Sequence, residues 1–308
     1  MAAAHGIEAG RSVHLTVDDG LRVHARVYDA AENGAPSRDA PPVICLHGVA
    51  RTALDFHELA LALSQGPNPR RVVCCDLRGR GLSARDPNPA NYDVRVEMRD
   101  VLATMTALGI AEAVFVGTSR GGLITMALGA LRPTVLRAAV LVDIGPVIEV
   151  AGLRRIRGYV GKLPAPPDFD AAADLLRSVQ GAQFPALTDA DWRRLAERTW
   201  RQGEAGLETA YDPALMHGLA ALDLDAPLPD LWPLFESLSG VPTLVLRGET
   251  SDILSDATAR AMEARHPSCR AVTVPGQGHA PLLWREEAQA PVRAFVDALA
   301  AEEARVAA

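Results

Sequence analysis

Apolar and polar positions along this chain follow two rhythms. Ser12 to Val17 and Leu21 to Val27 alternate apolar with polar, and Asp18-Asp19-Gly20 joins them. Asp-Gly between alternating runs is a hairpin signal, so the chain is expected to open with antiparallel strands. A polar, proline-containing loop is expected over Asn33 to Pro42. The rhythm then changes to short runs that are almost wholly apolar: Val43 to Leu46, Arg71 to Cys75, Val114 to Val116, Arg137 to Val142, Pro242 to Leu246 and Arg270 to Val274. Runs of this kind predict strands of a parallel sheet covered on both faces. Between them lie helical patterns at Thr52 to Leu63, Val94 to Leu108, Leu123 to Leu131, Ser255 to Arg265 and about Leu283 to Val306. The clearest is the second, where Val94, Met98, Val101, Leu102, Met105 and Leu108 recur at steps of three and four before Gly109 stops the helix. Strand and helix alternate repeatedly, which predicts an α/β fold with helices on both faces of the sheet.

The alternation breaks after Asp143-Ile144-Gly145-Pro146 and resumes near residue 240. The stretch 146–239 shows helical patterns but no apolar strand, and holds three of the four tryptophans, Trp192, Trp200 and Trp232. It predicts a helical cap inserted into a core formed by 1–145 and 240–308. At 308 residues with 48% apolar side chains, the chain suits one large domain with an insertion. A net charge of −7 with no long basic run gives no support to a nucleic-acid partner. Met1 to Gly10 lacks the basic-then-apolar order of a signal peptide, and no uncharged apolar stretch is long enough to span a bilayer. Of the four cysteines, Cys45, Cys74 and Cys75 fall in expected core strands, and Cys269 makes no C-x-x-C pair with any of them. Reduced thiols and a cytoplasmic location are therefore expected, with no metal and no cofactor.

Candidate chemistry centres on Gly117-Thr118-Ser119-Arg120-Gly121, a G-x-S-x-G turn between an apolar strand and a helix. The flanking glycines remove Cβ atoms that would collide at a sharp turn, so Ser119 Oγ is expected to stand at the carboxyl edge of the sheet as a nucleophile. A serine hydroxyl needs a base. Of eight histidines, His279 is best placed, in a glycine-flanked loop just after a strand, whereas His266 is expected to be exposed at a helix end. Asp143, Glu249 and Asp252 all follow strands and are the candidate carboxylates to orient it. Gly79-x-Gly81-x-x-Ala84 is also a dinucleotide-fingerprint match. Asp86-Pro87-Asn88-Pro89 forbids the helix that a fingerprint requires, so this is expected to be a tight loop.

With His47-Gly48, Asp76-x-Arg78-Gly79-x-Gly81-x-Ser83, the Ser119 turn, a late carboxylate and Gly278-His279 in order, the chain resembles a capped α/β-hydrolase-fold enzyme from about Ser12 to Leu299. The resemblance implies a Ser119–His279–Asp252 triad, because related chains carry the acid a few residues into the loop after the late strand. Glu249 would then order that loop. It also implies an oxyanion hole from the Val49 and Arg120 backbone N–H groups, with a structural role for His47. Serine at the elbow argues against haloalkane dehalogenases and epoxide hydrolases of this fold, which carry Asp there. The implied reaction is hydrolysis of a small carboxylic ester or lactone through an acyl-enzyme. C–C-bond hydrolases and perhydrolase-like enzymes share the triad, and a non-catalytic ligand receptor is a third reading. Arg51, Tyr159, Trp192, Trp200 and Trp232 are the candidate substrate contacts. Arg51 and Arg120 could meet a substrate carboxylate, or could pair with Asp55 or Asp143 instead.

Overall fold

The computed structural model describes residues 9–30, 40–204 and 206–306, with side chains described as far as 299. Most of the loop expected over 33–42, and most of the amino-terminal segment judged against a signal peptide, lie outside the described residues. Strands β1 (Arg11–Thr16) and β2 (Arg22–Tyr28) pair antiparallel, as the Asp-Asp-Gly turn predicts, and Gly20 takes a φ of +85° in that turn. There follow β3 (Val43–Leu46), α1 (His57–Gln65), β4 (Val72–Asp76), α2 (Val94–Ala107), β5 (Ala113–Thr118), α3 (Arg120–Leu131) and β6 (Leu136–Val142). Asp93 accepts from the Arg95 amide and so starts α2.

The chain then leaves the sheet. It forms α4 (Val150–Tyr159), α5 (Phe169–Gln180), α6 (Asp189–Thr199), a two-stranded antiparallel pair β7 (Trp200–Gly203) and β8 (Gly206–Thr209), α7 (His217–Ala221) and α8 (Trp232–Glu236). The β7–β8 pair is absent from the pattern-based reading. Each strand is four residues long and carries polar side chains such as Arg201, Gln202 and Glu208, so there is no apolar alternation to detect. The sheet resumes with β9 (Thr243–Gly248), α9 (Asp256–Arg265), β10 (Cys269–Val274) and α10 (Glu286–Val306).

The eight strands of the main sheet lie in the order β1-β2-β4-β3-β5-β6-β9-β10. From β4 to β10 every pairing is parallel, which puts the carboxyl ends of β3, β5, β6 and β9 along one edge. Alternate residues of one strand enter different cores, as pleating requires. Ile44, Leu46 and Phe115 pack with Met98 and Val101 of α2, Ile124 of α3 and Met262 of α9. Val43, Cys45, Val114 and Val116 pack with Leu59 and Leu63 of α1 and Val292 and Val296 of α10. A third cluster joins Leu176, Phe184, Trp192, Leu195 and Trp200 to Leu282 and Trp284 from the loop before α10. Among the described residues no helix is long and apolar enough to cross a membrane.

The Gly79–Ala84 segment is a loop, and the next α-helix begins only at Val94. Buried ion pairs hold it: Arg78 bridges Asp86 and Asp100, and Arg80 binds Glu97. No helix N-terminus faces this loop from within the motif, so the phosphate-binding device of a dinucleotide site is missing.

Candidate active site

Ser119 lies between β5 and α3 with φ +50° and ψ −109°, a conformation rare for a residue with a side chain. Its neighbours explain why the sequence accepts this. A Cβ on Gly117 would lie 2.5 Å from the Gly121 carbonyl oxygen, and one on Gly121 would lie 2.0 Å from the Leu46 carbonyl oxygen. Only glycine lets β5, α3 and the end of β3 converge here. The turn is tied down by the Ser119 N–H donating to the Val142 carbonyl at 2.9 Å, and by the Gly122 and Leu123 amides donating to the Ser119 carbonyl.

His279, in the loop after β10, places Nε2 2.9 Å from Ser119 Oγ. Its backbone N–H donates to Gln183 Oε1, which anchors the loop to the segment after α5. His279 Nδ1 lies 2.8 Å from Asp143 Oδ2. A carboxylate only accepts, so Nδ1 carries the proton and Nε2 is left to accept from Ser119; this tautomer is assigned from the network.

The carboxylate on His279 is thus Asp143, and the expectation of Asp252 is corrected. Asp143 directly follows β6, is fully buried, and has φ +55°. Its other oxygen accepts from the Gly248 amide at 2.7 Å, and Ser251 Oγ lies 2.5 Å from Oδ2. Asp252 faces the opposite way, where both its oxygens bind the Arg155 guanidinium of α4 at 2.6 and 2.8 Å. The physical reason lies in the loop after β9. Ser251, held by its N–H on the Gly248 carbonyl, occupies the position that faces the site, so the next residue points away. Glu249 accepts from the Gly276 amide at 2.7 Å.

His47 is fully buried. Its Nδ1–H donates to the Gly48 carbonyl at 2.8 Å and Nε2 accepts from the Leu77 amide at 3.0 Å, which ties the ends of β3 and β4 together. Burial lowers its pKa, and this pairing needs the neutral ring. His266 is also buried, contrary to expectation; Nε2–H donates to the Leu238 carbonyl at 2.7 Å, which its place before Pro267 did not reveal.

A cavity opens above Ser119 and His279, with an empty volume of about 890 Å³ including its mouth. Gly48, Val49 and Arg51 line it from the loop after β3, and Ile156, Tyr159, Leu176, Phe184 and Leu195 line it from the segment between β6 and β9. Arg51 is present but already satisfied. It makes a two-pronged pair with Asp55 at 2.6 and 2.7 Å and donates to Thr199 Oγ1 at 2.7 Å. The Arg120 guanidinium points elsewhere, to Glu97 Oε2 at 2.6 Å and the Tyr92 carbonyl. The local-pairing alternative therefore describes Arg51, while Arg120 pairs with a carboxylate that the sequence did not single out.

Tyr159 is the one aromatic substrate candidate on the cavity wall. Trp192 is buried in the third cluster, edge-on to Phe184; Trp200 borders a separate cavity beside Leu82; and Trp232 packs against Phe235 with Arg265 3.9 Å above its ring. The segment between β6 and β9 builds an apolar cluster of its own around Trp192 and Trp200, while Trp232 packs against the main core, so none of the three reaches the pocket. The tryptophan on the cavity wall is Trp284, with Phe56 and Phe184. Its signal was available: Ala280-Pro281-Leu282-Leu283-Trp284 is an apolar run directly after His279.

A model of the alpha/beta hydrolase family matches residues 43–298. The chain belongs to that family. Among solved structures, an alpha/beta hydrolase from Novosphingobium aromaticivorans superposes on the hydrolase with a TM-score of 0.86 at 39% identity, covering 95% of this chain and 99% of that one. A 3-hydroxybutyrate-oligomer hydrolase of Cupriavidus necator is 34% identical over 251 residues, 78% of this chain and 82% of its own. A 2-(acetamidomethylene)succinate hydrolase of Mesorhizobium japonicum is 25% identical over 245 residues, 78% and 81% of the two chains. The protein is a hydrolase enzyme, and the receptor reading falls.

Proposed function

We propose that the hydrolase cleaves carboxylic esters through an acyl-enzyme on Ser119, with His279 as the base and Asp143 as the acid that orients it. The observation that carries this reading is the continuous row Ser119 Oγ, His279 Nε2, His279 Nδ1, Asp143 Oδ2, with spacings of 2.9 and 2.8 Å at the floor of one cavity. In the first step Ser119 Oγ bonds to the ester carbonyl carbon while its proton passes to His279 Nε2. The oxyanion is received by the backbone N–H groups of Val49 and Arg120, an arrangement supported by Val49 on the cavity wall and by α3 starting at Arg120. The tetrahedral centre collapses, His279 gives the proton to the departing alkoxide, and an alcohol leaves. Water then attacks the acyl carbon, its proton going to His279. A second collapse returns that proton to Ser119 and releases the acid.

The segment 146–239 acts as a cap on the core of 1–145 and 240–308, supported by its contribution of one wall of the cavity. That wall is mainly aliphatic and aromatic, and the one arginine among the lining residues, Arg51, is neutralised by Asp55, which favours an uncharged acyl or alcohol group. The name of the Cupriavidus relative makes short hydroxy-acid esters the first members of a test panel, beside lactones and plain acyl esters. A fluorophosphonate probe tests the chemistry independently of substrate: wild type is labelled at Ser119 and Ser119→Ala is not. Labelling of Ser119→Ala, or turnover of the panel within a few-fold of wild type by that variant, overturns the reading.

A further inference from the structure

We infer that Ser251 is a positioning residue for the reaction, acting through Asp143 rather than on the substrate; this rests on the Ser119–His279–Asp143 reading. The inference follows from a full account of one hydroxyl. A serine oxygen offers two lone pairs and one proton. The Ile253 amide donates to Ser251 Oγ at 3.2 Å and the Leu254 amide at 3.1 Å. Both lone pairs are taken, so the proton has one remaining partner, Asp143 Oδ2 at 2.5 Å. That is the oxygen that also faces His279 Nδ1.

Asp143 is therefore a carboxylate with three donors and no exposure: the Gly248 N–H on Oδ1, and the Ser251 O–H and His279 Nδ1–H on Oδ2. Two consequences follow. The carboxylate plane is fixed from both sides, so the imidazole it holds is fixed as well. The Ser251 O–H also takes one side of Oδ2, so the imidazole can meet that oxygen only from the other. Ser251 lies in the loop after β9 and Asp143 directly after β6, and the two strands are neighbours. The loop after β9 thus serves the site through a hydroxyl, not through its own acid.

The test uses a graded series on the whole enzyme: Ser251→Thr, Ser251→Cys and Ser251→Ala. Fluorophosphonate labelling rate is measured for each, together with kcat and KM on the best ester of the panel. Threonine keeps the hydroxyl and cysteine offers a weak donor, so the expected order is Ser, Thr, Cys, Ala. Ser251→Ala should lose about tenfold to a hundredfold in labelling rate and kcat, the scale on which a slightly misplaced catalytic group acts. KM should change little, because Ser251 does not line the cavity. Three outcomes overturn the inference: Ser251→Ala within twofold of wild type, Ser251→Thr as slow as Ser251→Ala, or a loss confined to KM. If alanine fails to fold, the threonine-to-cysteine step still decides. If the Ser119 reading itself fails, wild type is not labelled at all, which is distinguishable from a labelled enzyme indifferent to position 251.

Discussion

Replacing Asp143 by asparagine separates the two candidate acids, and the structure indicates how large the effect must be. Three donors converge on Asp143, and the asparagine side chain has one accepting and one donating end. If its NH₂ faces His279, Nδ1 must accept, the ring proton moves to Nε2, and no lone pair remains for the Ser119 proton. If its oxygen faces His279, the tautomer survives, but NH₂ meets the Gly248 N–H where the parent contact is 2.7 Å. That leaves two buried donors opposed at a cost of about 1–3 kcal/mol each. In both orientations the negative charge that stabilises the imidazolium is gone. Asp143→Asn should therefore fall by ~10³- to 10⁴-fold in kcat/KM, as the same change does in serine proteases. The larger value corresponds to about 5.4 kcal/mol of transition-state stabilisation at ~1.36 kcal/mol per decade. Asp252→Asn removes one charge from a pair whose side chains are 20% and 22% exposed. It should lower stability by about 1–3 kcal/mol, because the mostly buried Arg155 guanidinium loses its anion but keeps a side-chain oxygen as acceptor, and leave kcat/KM within a few-fold. Both variants are assayed on a p-nitrophenyl ester, with fluorophosphonate titration of active sites and a urea melt to exclude misfolding. If Asp252→Asn collapses while Asp143→Asn stays within a few-fold of wild type, the assignment of Asp143 is wrong.

Three further expectations concern the fold around the site. Burial holds the His47 imidazole below its ordinary value of 6.5, so the unfolded chain binds that proton more tightly, and stability should begin to fall as pH drops below about 6.5. His14 and His57 are also lowered, so His47→Gln should make the fall in urea midpoint between pH 6.5 and 5 shallower without abolishing it; an unchanged slope refutes the account. Trp284→Leu, on the cavity wall, should shift the acyl chain-length preference by about tenfold, the scale of one or two methylenes in an apolar pocket, while Trp232→Leu should leave it unmoved. Equal chain-length profiles for the two variants would remove Trp284 from the specificity pocket. Gly121→Ala sets a Cβ 2.0 Å from the Leu46 carbonyl oxygen, so it should cost at least about 3 kcal/mol in a urea melt, and a wild-type midpoint contradicts the packing argument.

What the chain made legible, and what it hid, both trace to the range of the interactions involved. The strands of the main sheet are readable because a buried parallel strand needs a local apolar run, and Val43 to Leu46 is found with the bounds the pattern predicts. Ser119 is readable because the close packing around its sharp turn demands glycines two positions away on either side. Asp143 shares the first of these marks, since it closes an apolar run. It even shares the positive φ, which aspartate tolerates better than most residues. What assigns it to His279 is not local. The neighbouring strand, more than a hundred residues later, supplies the Gly248 amide and the Ser251 hydroxyl, and nothing near Asp143 in sequence announces them. The carboxyl ends of β6 and β9 are adjacent, so an acid on either could approach the same imidazole. The decision falls to a single position in the later loop. With serine at 251 facing the site, Asp252 turned to Arg155 and Glu249 to the Gly276 amide, that loop offers His279 a hydroxyl by way of Asp143 and no carboxylate of its own. The tryptophans err for the related reason that position along the chain places a side chain in the segment between β6 and β9, while only packing decides which face of that segment it fills. Trp192 and Trp200 pack inside the cluster of the segment between β6 and β9, and Trp284, in the loop that carries His279, is the one that meets the cavity.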